Sequence, residues 1–132
     1  MSDIVQRTEP FQYAMLRIVP RVERGECFNV GLVLFSRPLD FLGVRIDFDE
    51  TLLERMSPGC DPAPIRARLA GIERIVAGDA TAGPIARLSQ SERFHWLVAP
   101  ASTILQPSPQ HTGLTADAGA TLDRLFGELV RH

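Results

Sequence analysis

Apolar positions dominate the first third of the chain in short runs with strand-like spacing. Phe11 to Ile18 (FQYAMLRI) and Phe28 to Phe35 (FNVGLVLF) are apolar or aromatic on both pleat faces, as strands covered on both sides are. Between them, Pro20 and Gly25 punctuate a polar stretch, which predicts a hairpin with a long loop. Gly31 interrupts the second run and predicts a bulge or a close approach by another group. From Phe41 to Phe48 the alternation is cleaner: Leu42, Val44, Ile46 and Phe48 share one face, predicting a half-exposed edge strand.

The period then changes. Asp49 is placed to cap a short helix running through Met56, ended by Ser57-Pro58-Gly59. Asp61 and Pro62 open a longer helix with an Ile65, Leu69, Ile72, Ile75 and Val76 stripe, stopped by Gly78. Thr81 to Ser89 reads as a weaker helical piece and Arg93 to Ala99 as a last strand. Thr115 is expected to cap a final helix carrying Leu122, Leu125, Phe126, Leu129 and Val130. The order implies one α+β domain spanning the chain, a mainly antiparallel sheet with helices packed on one face.

Composition narrows the functions. The 132 residues carry a net charge of −2, which argues against a broad basic nucleic-acid surface. Every basic residue is arginine, so lysine nucleophiles and Schiff bases are excluded. No apolar run approaches the ~20 residues that span a bilayer, and the first residues lack a signal-peptide pattern. Cys27 and Cys60 have no metal or redox spacing, so a reducing cytoplasm with free thiols is expected. Metal-binding, nucleotide-loop and esterase-elbow motifs are absent, and neither a cofactor nor a metal is expected.

Two polar constellations remain. The loop holds Arg21, Arg24 and Glu26, with Asn29 just beyond. Paired guanidiniums suit a phosphate or carboxylate; equally, the Arg and Glu side chains of a solvated loop pair with one another. Asn29, at the start of a buried strand, needs partners for its amide. The second constellation is Ser102, Thr103, Gln106, Ser108 and His111, interleaved with Pro107 and Pro109. Serine and histidine invite a hydrolase reading with His111 as base; an irregular proline-locked loop bonded to its own backbone accounts for the same residues.

Both segments carry a resemblance. FQYAMLRIVPRVERGECFNVGLVLF and SERFHWLVAPASTILQPSPQHTGLT resemble a family of small bacterial proteins known as domain of unknown function 3037, through Arg24-Gly25-Glu26, Asn29-Val30-Gly31 and the Ser102 to Gly113 pattern. Cys27 and Ala101 depart from that pattern; a basic residue is common at the second position. The resemblance implies no chemistry, but it implies company: members resemble genomic companions of HipA-like serine/threonine kinases. A non-catalytic binding module engaging such a kinase is therefore the leading expectation. A phosphate- or nucleotide-ligand protein using the arginines and His111 is the alternative, and strand-edge self-association a third.

Overall fold

The structure, a computed structural model, describes residues 7–101 and 103–131. Ser102 and His132 fall outside the described residues. Strand β1 (Glu9–Ile18) and strand β2 (Phe28–Ser36) form the expected long hairpin, and β3 (Phe41–Ile46) follows at one edge. At the other edge, β1 pairs with β4 (Leu105–Pro107) through Arg17 and Gln106, and with β5 (His111–Thr115) through Tyr13 and His111. All pairings are antiparallel, in the order β3-β2-β1 followed by the interrupted β4/β5 edge. The fold is α+β.

Gly31 behaves as its position in an apolar strand predicts. The β1–β2 register slips between Leu16 and Arg17, and a Cβ on Gly31 would lie 3.0 Å from the Arg45 carbonyl oxygen. A side chain there would push two strands apart.

Helices cover both faces, which corrects the one-face expectation. Helices α1 (Glu50–Met56), α2 (Ala63–Ala77) and α3 (Gln90–Leu97) share a core with Ala14, Leu16, Ile18, Val33 and Phe35. Helix α4 (Ala118–Leu129) closes a second core over Leu32 and Leu34 on the opposite face. The cause lies in β2, whose successive side chains point to opposite sides and are apolar on both. Leaving one side in water would cost roughly 1.5–3 kcal/mol for each large side chain exposed.

Three boundaries also differ from expectation. Arg93 to Ala99 lies largely in α3, not in a strand. Ser89 and Glu92 form a reciprocal capping box that satisfies free N–H groups of the first turn, and Phe94 and Leu97 face the core at helical spacing. Arg93 also closes the end of α2, donating at 2.8 Å to the carbonyls of Ile75 and Val76. The cap of α4 is Asp117 rather than Thr115, whose hydroxyl ends β5 by accepting from the Asp117 N–H. Finally, Leu105 to Thr115, expected as irregular loop, is the interrupted edge strand itself. Elsewhere Asp49 caps α1 and left-handed Gly78 ends α2, as their positions predict.

The interruption of that edge has a chemical basis. Pro109 has no N–H to give, so the ladder cannot run through it unbroken. Ser108 substitutes for the missing regularity. Its N–H donates to the Met15 carbonyl at 2.8 Å, and its side-chain oxygen accepts from the Met15 N–H at 2.9 Å. The same hydroxyl donates to the Pro109 carbonyl at 2.8 Å.

Candidate functional site

The two polar constellations meet only at their roots. Val19 donates to the Ile104 carbonyl at 2.7 Å, bringing the start of the β1–β2 loop beside the start of β4. Beyond that the residues diverge. Arg24 pairs with Glu26 at 2.7 Å, and Arg21, Arg24 and Glu26 are exposed around a short 3-10 turn, with Gly25 at φ 68°. Asn29 donates to the Leu129 carbonyl at 2.9 Å and so fastens β2 to the end of α4. Thr103 donates to the Leu105 carbonyl and accepts from Arg68, while Gln106 donates to the Thr103 carbonyl.

His111 sits elsewhere, paired across the sheet with Tyr13 and stacked on it with ring centroids 5.2 Å apart. Five residues of extended strand, ~17 Å, separate Tyr13 from Ile18, where the arginine loop begins. None of the best-formed cavities among the described residues is lined by both Arg24 and His111. Ser108 is 4% exposed with its proton and a lone pair already engaged in the edge bulge.

The residue that the pattern analysis passed over is Arg17. It interrupts the apolar run of β1 between Leu16 and Ile18, and a charge inside a strand of that kind was the available signal. Arg17 shares a sheet face with its cross-strand partner Gln106. Helix α4 packs mainly over β2 and β3. The Nε of Arg17 is buried and has no hydrogen-bond partner among the described residues.

A buried polar hydrogen without an acceptor costs free energy, more so on a charged group. Arg17 also lines a cavity of ≈ 440 Å³ between the edge strand and the segment after α3. Gln106, Ser108 and Gln110 contribute its polar wall; Val98, Pro100 and Pro109 contribute apolar surface. Ala101 lies in the same lining, so Arg17 is the one charged residue there. A basic residue at that position would have made it an anion site with two cations. Chemically the cavity offers a single guanidinium, amides and a dry wall, with no nucleophile beside a base. Among the described residues no group of His, Cys, Asp and Glu is arranged to hold a metal ion, and no helix is long and apolar enough to cross a membrane.

An antiparallel sheet with helices on both faces and an arginine cleft at its broken edge defines the architecture. The chain belongs to the family described as protein of unknown function (DUF3037), whose profile matches residues 13–130. No curated protein and no solved structure gives a significant match.

Proposed function

We propose that this chain is a non-catalytic binding module of the bacterial cytoplasm, which holds a carboxylate of a protein partner in the Arg17 cleft. The observation that carries the reading is Arg17, the one charged residue lining an open cavity, whose buried Nε has no acceptor among the described residues. A carboxylate matches one guanidinium in charge and can accept two parallel hydrogen bonds from it. A phosphate would bring nearly twice the charge to a cavity with one cation, while Arg24 is already paired with Glu26. Proline, valine and alanine walls suit the apolar flank of a peptide better than a ribose. With a net charge of −2, nucleic acid is not the partner we favour.

The partner we favour is a HipA-like kinase, on the family resemblance drawn from the two polar segments. Isothermal titration of the purified chain against such a kinase from the same genome tests this. Binding is expected to weaken at least tenfold in Arg17→Gln and to be unchanged in Arg24→Ala, since truncating one partner of a buried charge pair is costly. Absence of binding, or equal binding by Arg17→Gln, overturns the proposal. Thermal stabilisation by nucleotides that depends on Arg17 and His111 would favour the ligand-binding alternative instead.

A further inference from the structure

A second cavity, of ≈ 480 Å³, lies between β1, β5, the β2–β3 turn and α3, and shares no lining residue with the Arg17 cleft. Its cation is Arg37, presented by the turn that joins β2 to β3. Arg37 donates through Nη2 to the Ser91 hydroxyl at 3.2 Å. Among the described residues no carboxylate lies within ion-pair distance of Arg37.

His95 faces the same space from α3. Its Nδ1 lies 2.7 Å from the Ser91 carbonyl oxygen. A carbonyl can only accept, so Nδ1 carries the hydrogen and Nε2 of the neutral ring is left as an acceptor. The ring is held edge-on by Phe94, itself stacked on Phe35 at 5.3 Å. Phe35, 4% exposed, lines the cavity with Pro38, and the cross-strand pair Gln12 and Thr112 adds an amide and a hydroxyl on the same face.

We infer that this cavity binds a small aromatic hydroxycarboxylate. The carboxylate lies on Arg37, the ring against Phe35 and Pro38, and the hydroxyl donates to His95 Nε2. Cavities of this size, mainly apolar with a few convergent polar groups, are the usual form of small-ligand sites. A monoanion fits better than a phosphate dianion, because Asp40 on the same turn and Glu92 in the first turn of α3 already place negative charge nearby.

The test is an amide NMR titration with 4-hydroxybenzoate. Saturable shifts are expected at Gln12, Ser91, His95 and Thr112, at least tenfold weaker for the neutral 4-hydroxybenzamide and for Arg37→Gln. Arg37 is exposed in a turn, and an otherwise unchanged spectrum verifies that the variant is folded. Arg17→Gln should leave this titration intact, which separates the outcome from that of the partner cleft. No saturable shift with 4-hydroxybenzoate, or equal binding by the amide or by Arg37→Gln, overturns the inference.

Discussion

Replacing Ser108 by alanine separates two roles for this residue, a hydroxyl that reacts and a hydroxyl that holds the sheet edge. Both main-chain groups of Met15 are bonded to Ser108, the N–H through the hydroxyl at 2.9 Å and the carbonyl through the Ser108 N–H. Alanine keeps the second bond and removes the first. Met15 would then keep a donor with no acceptor beneath the edge strand, at a site where Ser108 is 4% exposed. Stranding a buried donor costs about 1–3 kcal/mol. At about 4 °C per kcal/mol for a chain of this length, the midpoint should fall by about 4–12 °C. Urea unfolding followed by circular dichroism should give a lower midpoint with an unchanged slope. Hydrogen exchange at the Met15 amide should accelerate beyond the global change. A stability loss below about 0.5 kcal/mol with Met15 still protected would show that the bulge is not held by the hydroxyl, a loss too small for a stranded donor.

Two further perturbations test the supports of the fold. Asp79 accepts from the Thr81 hydroxyl, the Thr81 N–H and Arg74, which hold its carboxyl down at about 2 from an ordinary 3.8. Between those values the unfolded chain binds the extra proton, so this contribution is complete above about pH 4 and disappears as pH falls toward about 2. Asp79→Asn should therefore flatten the acid limb of stability measured against pH; an identical limb in the variant would refute the assignment. Asn29→Ala removes the bond to the Leu129 carbonyl and should cost about 1 kcal/mol. It should loosen the end of α4 while leaving partner affinity unchanged, readable by amide exchange and titration; weakened affinity in a folded variant would return Asn29 to the binding surface.

What could be read from residues alone follows from local rules. The β1–β2 hairpin, the β3 edge, helices α1 and α2 and the interruption at Gly31 depend on spacing, caps and turn residues that lie within a few positions of one another. Local signals were also present where the reading went astray. Ser89 and Glu92 mark a helix start three residues apart, yet the aromatic run Phe94-His95-Trp96 imitates a strand until its neighbours show which side chains are buried. The polar Ser102 to Thr115 segment carries strand content only because β1 offers it a free edge; by itself its prolines and hydroxyls favour irregular backbone.

The sequence alone determined the class of the fold, since the periods of its apolar positions dictate which segments must be strands or helices and that β2 needs cover on both faces. Tertiary structure alone decided that α4 supplies the second cover. It also decided that Arg24 and His111 stand apart and that the Nε of Arg17 is buried without an acceptor among the described residues. The reason is physical. Periodicity depends on neighbours in the chain, whereas pairing, burial and the satisfaction of a charged group depend on residues about ninety positions away, whose arrival no local pattern encodes.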